Sequence, residues 1–189
     1  MKTTVYFVRH AQSDNTHKEE MTRPLTAKGM EDRMLALAYL KDKGISAVYS
    51  SPYLRAVTTV QPLAEYLGLE VIPEVDFRER ATGDTTGIDN FAACQWADKT
   101  FAAPGGECIA EVQDRVAAAL RPLVEKHMGE AIAIGCHGTM LGATVNYFDG
   151  SFDLEAFGPY RNLMPWIVEM TFEDGSCTGM AMVDPFHVK

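Results

Sequence analysis

An arginine and a histidine stand side by side where the first apolar run of the chain, Val5-Tyr6-Phe7-Val8, gives way to Arg9 and His10. A guanidinium group can bind two oxygens of an oxyanion at once, and an imidazole can act as nucleophile, acid or base near neutral pH. The pair therefore indicates chemistry on an anionic group. The competing interpretation is that both residues are simply polar caps at the end of a strand.

Two further segments carry the same residue types at the same kind of position. Ser51-Pro52 leads to Arg55, and the apolar run at 131–136 ends in His137-Gly138-Thr139. Two arginines and two histidines in one crevice suit phosphoryl transfer, because arginines can hold the nonbridging oxygens while one imidazole attacks phosphorus. The turn after the second run should also begin a helix, whose free backbone N–H groups bind anions.

Hydrophobic periodicity indicates which elements position these residues. Short strands are expected at 5–8, 47–50, 70–73 and 131–136, with helices at 26–43, 54–67, 107–127 and 139–148. The first helix should be capped by Thr26 and bury a face that includes Met34 and Leu40. Asp174-Gly175 lies between two alternating runs, which is typical of a hairpin.

This order predicts an α/β fold, namely a three-layer α/β/α sandwich with a mostly parallel, doubly wound sheet and a C-terminal antiparallel hairpin. The carboxyl ends of its parallel strands share one edge, where such sheets bind ligands. We expect a single domain over residues 1–189. The aperiodic stretch at about 76–106 should form a short cap insertion over the site, or its aromatic residues should form a small core of their own.

Composition narrows the class of protein. A formal net charge of -9, with 47% hydrophobic and 23% charged residues, fits a globular protein that binds neither nucleic acid nor an anionic membrane surface. Four scattered cysteines and the lack of a long apolar run favour a reduced, cytoplasmic setting. Any positive pocket must be local, and its candidate residues are Arg9, Arg23, Arg55, Arg78 and Arg80.

In order and spacing, these motifs resemble those of the histidine phosphatase superfamily, the fold group of cofactor-dependent phosphoglycerate mutase, acid phosphatase and the phosphatase half of the bifunctional fructose bisphosphatase. The resemblance covers most of the chain. It rests on Arg9-His10-x-x-Ser13, Pro24-Leu25-Thr26-x-x-Gly29, Ser50-Ser51-Pro52-x-x-Arg55-Ala56-x-x-Thr59, Phe77-x-Glu79, Gly106-Glu107 and His137-Gly138.

The resemblance implies that His10 is a nucleophile that becomes transiently phosphorylated, and that Arg9, Arg55 and His137 complete the phosphate pocket. Glu79 is similar to the family's proton donor. No metal or cofactor is implied, and the expected partner is a small phosphorylated metabolite. Further contacts with phosphate or substrate are expected from Ser13, Asn15, Arg23, Gly138 and Thr139.

Several positions depart from the family pattern. Ala11 replaces a glycine after the Arg-His pair, so the tight turn there must accommodate a methyl group, and Asn15 lies one position early. The usual Trp-Glu-Gly is absent after Glu79, which leaves Asp84 and Glu107 as alternative acids. Arg23 is expected to bind either the distal group of the substrate or an exposed carboxylate. The remaining histidines, expected to be solvated, are His17, His127 and His187.

Three functions are compatible with these residues. The first is a phosphomonoesterase working through phosphohistidine, and the second is a mutase that returns the phosphoryl group to another hydroxyl. The third is a catalytically silent module that binds phosphorylated ligands. The short insertion should leave the pocket open to water, which favours hydrolysis. Neither the substrate nor the oligomeric state can be read from the sequence.

Overall fold

A computed structural model describes residues 1–188 of the chain. One six-stranded sheet forms its centre. Its strands are β1 (Lys2–Arg9), β2 (Ile45–Ser50), β3 (Val71–Pro73), β4 (Ala131–Cys136), β5 (Trp166–Glu173) and β6 (Ser176–Val183). Their order across the sheet is β3-β2-β4-β1-β5-β6. The first four strands of the chain run parallel to one another, and β5 and β6 run antiparallel to their neighbours.

Helices cover both faces of this sheet, so the expected three-layer α/β fold is confirmed. The helices are α1 (Ala27–Leu40), α2 (Leu54–Leu67), α3 (Phe91–Ala97), α4 (Ile109–Lys126), α5 (Gly138–Phe148) and α6 (Leu154–Phe157), with 3-10 turns at Val75–Phe77 and Gly158–Tyr160. Helices α1 and α2 pack on one face, and α4 and α5 pack on the other. No helix within residues 1–188 is long and apolar enough to cross a membrane.

The central strand β1 is apolar on both faces because each face is covered. Side chains alternate along a strand, so Val5 and Phe7 enter the core under α4 and α5, whereas Tyr6 and Val8 enter the core under α1 and α2. Burial of each such side chain contributes roughly 1.5–3 kcal/mol. These two cores bury both faces of the sheet beneath its carboxyl edge.

Main-chain pairing brings the three motif-bearing loops together at that edge. Arg9 lies opposite Cys136 in the parallel register of β1 and β4. Just beyond the strands, the N–H of His10 donates to Cys136 O across 3.0 Å, and the N–H of Ser51 donates to Gly135 O across 2.8 Å. The loops after β1, β2 and β4 therefore begin side by side at the carboxyl edge of the sheet.

Helix α2, which carries Arg55, continues through Pro62 without interruption. A proline has no N–H for the carbonyl four residues earlier, which here is that of Thr58. Arg33 of α1 donates to this oxygen from Nη1 across 3.1 Å. The neighbouring helix thus satisfies the acceptor that the proline leaves free.

The C-terminal hairpin forms where expected. Asp174 and Gly175 have φ angles of 49° and 79°, the left-handed values that a two-residue turn between twisted strands requires. β5 then pairs along the whole of β1, which places the loop before Trp166 next to the site.

Two local predictions were wrong. Met34 is 45% exposed, and the buried positions of α1 are Gly29, Ala36 and Leu40. His127 is buried between Tyr49 and Glu130, whereas His187 is exposed as expected.

The insertion at 76–106 contains helix α3, whose seven residues are too few to show a helical period. Its aromatic residues divide between two environments. Trp96 stacks on Phe157 of the main core at 5.7 Å between ring centroids, whereas Phe91 and Phe101 contact each other within the insertion at 6.2 Å.

Candidate active site

His10 lies in the loop after β1 and is only 7% exposed. Its Nδ1 is 2.7 Å from the carbonyl oxygen of Ala11, so this nitrogen carries the proton and donates it. The lone pair is then on Nε2, which accepts from Nε of Arg55 across 3.3 Å. Burial lowers the pKa of His10 to about 3; the Ala11 carbonyl opposes this shift and nearby arginines add to it. The imidazole is therefore neutral and nucleophilic at Nε2.

Thr59 of α2 fixes the turn that holds His10. Its hydroxyl accepts from the N–H of Ala11 across 3.0 Å and donates to Arg55 O across 2.7 Å. The methyl group of Ala11 is fully buried and its φ angle is not positive, so the turn accommodates alanine where the family has glycine.

Arg55 is in the first turn of α2, and its side chain is 3% exposed. Nε faces His10, while Nη1 and Nη2 donate to the backbone oxygen and the carboxylate of Glu20 at 2.6 and 2.8 Å. The edge of the guanidinium that carries Nε is thus the one directed at Nε2 of His10.

Arg9 is held in a related way. Its Nη1 donates to the carbonyl oxygens of Tyr160, Arg161 and Leu163 at 2.9, 2.9 and 3.1 Å. Its buried Nε has no partner among residues 1–188, so this donor can form a hydrogen bond with an anion in the cavity. Gly138 allows this placement, since a Cβ there would lie 2.9 Å from the guanidinium carbon.

His137 is fully buried, and its ring centroid is 5.3 Å from that of His10. Nε2 of His137 is 2.8 Å from the hydroxyl of Ser51, and Nδ1 has no partner in the described part of the chain. Burial holds the pKa of His137 well below its usual value, and the nearby His10 and arginines lower it further. A neutral imidazole with one unused nitrogen beside His10 is suited to hydrogen-bond a phosphoryl oxygen.

Glu79 reaches the site from the start of the insertion and caps helix α5. Its carboxylate accepts from the N–H groups of Thr139 and Met140 at 3.0 and 2.9 Å, and from that of Arg80 at 2.8 Å. The expectation that the turn at Thr139 offers free N–H groups is therefore wrong, because the anion bound there is Glu79 itself. Thr139 still borders the cavity.

The two alternative acids lie elsewhere. Asp84 is an exposed residue whose carboxylate binds Thr86, which lowers its pKa. Burial alone would raise the pKa of Glu107, but Arg115, the Ala81 N–H and Arg78 bind its carboxylate and hold the pKa below its usual value. Neither acid borders the cavity, whereas Glu79 does.

The cavity at the carboxyl edge of the sheet has a volume of about 830 Å³. Arg9, His10, Ser13, Asn15, Arg23, Arg55, Glu79 and Thr139 border it, and His137 and Gly138 lie immediately behind its wall. Arg23 does bind an acidic side chain, Glu20, at 2.5 Å.

The sequence-based prediction of the positive pocket was wrong for Arg78, was correct for Arg80 and missed several other residues. Arg78 was a candidate for the positive pocket, but it pairs with Asp76 and Glu107 away from the cavity. Arg80 does border the cavity, and its Nε and Nη1 have no partner among the described residues. Residues that were assigned no role but that also border it include Glu20, Tyr53, Arg161 and Asn162.

The site is built for an oxyanion. Five arginines and three carboxylates border the cavity, which leaves an excess of two positive charges on a protein of net charge -9. Within residues 1–188 no group of three or more His, Cys, Asp or Glu side chains could hold a metal ion. The arrangement can hold a tetrahedral oxyanion between arginines and attack it from Nε2 of His10.

Comparisons with known proteins agree with this geometry. The sequence model of the histidine phosphatase superfamily (branch 1) matches residues 5–184. The uncharacterized phosphatase PhoE of Bacillus subtilis is 27% identical over 153 residues, which are 78% of this chain and 78% of that protein. The probable phosphoglycerate mutase GpmB of Escherichia coli O1:K1 is 30% identical over 156 residues, or 75% of this chain and 73% of the relative.

Solved structures match over nearly the whole chain. The native structure of mycobacterial glucosyl-3-phosphoglycerate phosphatase superposes with a TM-score of 0.77 over 96% of this chain and 97% of that one, at 18% identity. Likeness at that level of identity shows a shared fold.

Proposed function

Because the chain belongs to the histidine phosphatase superfamily, we propose that it hydrolyses a small phosphomonoester through a phosphohistidine intermediate on His10. The observation that carries the proposal is the hydrogen bond of 2.7 Å between Nδ1 of His10 and Ala11 O, which leaves the Nε2 lone pair facing Arg55. A histidine acting only as a phosphate ligand would donate from Nε2, and this tautomer cannot.

In the first step, Nε2 of His10 attacks phosphorus, and the bond from phosphorus to the ester oxygen breaks. Arg9 and Arg55 hold the nonbridging oxygens, whose negative charge is spread in the transition state. Guanidinium groups stay protonated at any working pH, so they are permanent clamps. Glu79, carrying a proton in this step, gives it to the departing alkoxide.

In the second step, water attacks phosphorus of the phosphohistidine. The Glu79 carboxylate takes a proton from that water, and the bond between Nε2 and phosphorus breaks. Inorganic phosphate leaves, and His10 returns to its neutral form. Burial of His10, which disfavours the imidazolium, makes its lone pair available again for the next ester.

Hydrolysis is favoured over transfer to a second hydroxyl because of the shape of the cap. The insertion at 76–106 carries a single helix of seven residues, and the cavity beside it stays open to solvent. A mutase must exclude water from its phosphohistidine. Since a relative at 30% identity is described as a probable phosphoglycerate mutase, transfer is the alternative that any assay must test.

The charge of the cavity indicates which esters to try. Arg23, Arg80 and Arg161 border it in addition to the two arginines beside His10. Arg23 already pairs with Glu20, but Arg80 and Arg161 form no ion pair within residues 1–188 and can bind a second anionic group on the substrate, such as a carboxylate or another phosphate. We therefore propose a small phosphate ester with at least one further negative charge.

A panel of phosphate esters, matched in pairs with and without a second acidic group, tests the proposal. We expect release of inorganic phosphate, faster for the acidic member of each pair. Transfer of label from one hydroxyl to another without phosphate release would identify a mutase. Tight binding of the esters without turnover would instead identify a silent binding module.

A further inference from the structure

The two edges of the Arg55 guanidinium group are used differently. Nη1 and Nη2 form the end-on edge, and both donate to Glu20, to its backbone oxygen at 2.6 Å and its Oε2 at 2.8 Å. Nε and Nη2 form the side-on edge, and Nε lies 3.3 Å from Nε2 of His10. Glu20 therefore binds the end-on edge of Arg55, and on the side-on edge Nε contacts His10 and not Glu20.

We propose that Glu20 is a positioning residue that orients Arg55 for phosphoryl transfer. The inference rests on the proposed phosphatase function, since it assigns Arg55 to the phosphoryl group. A bidentate contact with two phosphoryl oxygens requires the side-on edge to lie in one plane and at one distance from His10. A misplacement of about 1 Å in such a contact is enough to slow a reaction about a hundredfold.

Arg55 needs such a partner because it is long, charged and buried. Its side chain is only 3% exposed, so most of its donors need partners within the protein. Among residues 1–188, Glu20 is the one carboxylate that forms an ion pair with it. Loss of that carboxylate would leave a buried cation free to rotate toward other acceptors, away from the geometry that catalysis requires.

Glu20 also coordinates a second arginine. Its Oε1 accepts from Nη2 of Arg23 at 2.5 Å, and Nε of Arg23 donates to His17 O at 3.1 Å. One carboxylate thus lies between two guanidinium groups that would otherwise repel each other. The backbone of the same loop is fixed to α2, because the N–H of Leu54 donates to Met21 O across 2.8 Å.

A contrary role is that Glu20 is an internal competitor whose carboxylate occupies the place of the phosphate. The end-on contact argues against it, because Nε, the Arg55 atom that faces His10, forms no hydrogen bond with Glu20 in the described part of the chain. The two roles predict opposite effects of removing the carboxylate. A positioning residue is needed for activity and anion affinity, whereas a competitor limits both.

The test compares Glu20→Ala and Glu20→Gln with the wild type, and uses Glu19→Ala as the matched control. Glu19 is the neighbouring acid of the same loop, and within residues 1–188 its carboxylate binds only Thr22. Two quantities are measured: kcat and KM on an ester that the wild type hydrolyses, and the Kd of inorganic vanadate, which binds without turnover. Thermal melting shows that each variant is folded.

For Glu20→Ala we expect kcat/KM to fall about tenfold to a hundredfold, mainly through kcat, with a parallel loss of vanadate affinity. Glu20→Gln keeps an oxygen acceptor for Arg55 and should lose less, and Glu19→Ala should match the wild type. Unchanged kcat and vanadate Kd in folded Glu20→Ala, or tighter vanadate binding, would overturn the proposal. A wild type that binds vanadate but hydrolyses no ester would overturn the phosphatase function instead, while the vanadate comparison still decides the role of Glu20.

Discussion

The hydroxyl group of Thr59 accepts a hydrogen bond from the backbone N–H of Ala11 across 3.0 Å. The carbonyl oxygen of the same alanine accepts a hydrogen bond from Nδ1–H of His10 across 2.7 Å. One residue of the turn is therefore tied to helix α2 on one side and to the imidazole on the other. The tautomer and the orientation of the His10 ring thus depend on the side chain of Thr59, which acts through Ala11 and not by a hydrogen bond to the imidazole.

Replacing Thr59 by Val tests this relationship, because valine has nearly the same shape without the hydroxyl. We expect Thr59→Val to lose about 1–3 kcal/mol of unfolding free energy, since the buried N–H of Ala11 loses its partner. Its kcat/KM should fall as well. Thr59→Ser, which keeps the hydroxyl, is the control and should retain most activity. Equal denaturant midpoints and rates for Val and wild type would show that the bond is dispensable.

The proposed acid, Glu79, is tested with esters of different leaving groups. General acid assistance contributes about a hundredfold to ten-thousandfold. Glu79→Gln should slow hydrolysis of an alkyl phosphate by that factor and that of p-nitrophenyl phosphate much less, because the phenolate leaves unaided. In the Glu79→Gln variant, the amide NH2 group also faces the N–H of Thr139 or Met140, where two donors oppose each other. A decrease in rate that is equal for both esters would report this structural effect and not the loss of the acid.

Asp84→Asn serves as the matched carboxylate control, because Asp84 is exposed and lies away from the cavity. It should keep wild-type rates on both esters. A Glu79→Gln enzyme that is equally slow on both esters, or an Asp84→Asn enzyme that is slow on the alkyl ester alone, would remove the acid role from Glu79.

Acid should destabilise the protein through His10. Burial first, and then the nearby arginines, lower its pKa to about 3, whereas an unfolded histidine titrates near about 6.5. Between these two values the unfolded chain binds a proton that the folded chain does not, so stability is lost as the pH falls through this window. The slope for one such histidine is about 1.4 kcal/mol per pH unit.

Urea unfolding at several pH values between about 6.5 and about 4 measures this loss. We expect the unfolding free energy of His10→Gln to fall less steeply on acidification than that of the wild type, by about 1.4 kcal/mol per pH unit. His187→Gln, at an exposed histidine, is the control and should follow the wild type. Identical slopes for all three proteins would mean that His10 titrates normally in the folded state.

Metal chelation gives a simple further prediction. Arg9 and Arg55 take the charge-neutralising role in the proposed reaction, so turnover should be unchanged after dialysis against EDTA. Inactivation by the chelator, reversed by a single divalent metal, would contradict the proposed chemistry.

Much of the site's location could be predicted because apolar runs end at defined residues. β1 and β4 are buried on both faces, so each reads as a continuous apolar segment, and the polar residues that follow, Arg9-His10 and His137, had to emerge at the carboxyl edge. The hairpin at Asp174-Gly175 could be predicted for a similarly local reason, since few other dipeptides adopt two left-handed residues.

The contacts that orient the site could not be predicted in this way. Arg55 is 35 positions from Glu20, which lies in a loop without any period. Glu79 caps a helix that begins about sixty residues later, so nothing local distinguishes it from an ordinary exposed acid. Arg80 borders the cavity and Arg78 does not, because of the course that the backbone of the insertion takes. The sequence does not reveal that course, since the helix α3 is too short to show a hydrophobic period.

Trapping the intermediate tests the central claim most directly. The wild type is mixed with a phosphoryl donor labelled on phosphorus, quenched in alkali and digested, and the labelled peptide is sequenced by mass spectrometry. The account predicts label on His10 through an acid-labile, base-stable bond, no label in His10→Ala, and no turnover by that variant. Label on another residue, or a His10→Ala enzyme that keeps most of its activity, would contradict it.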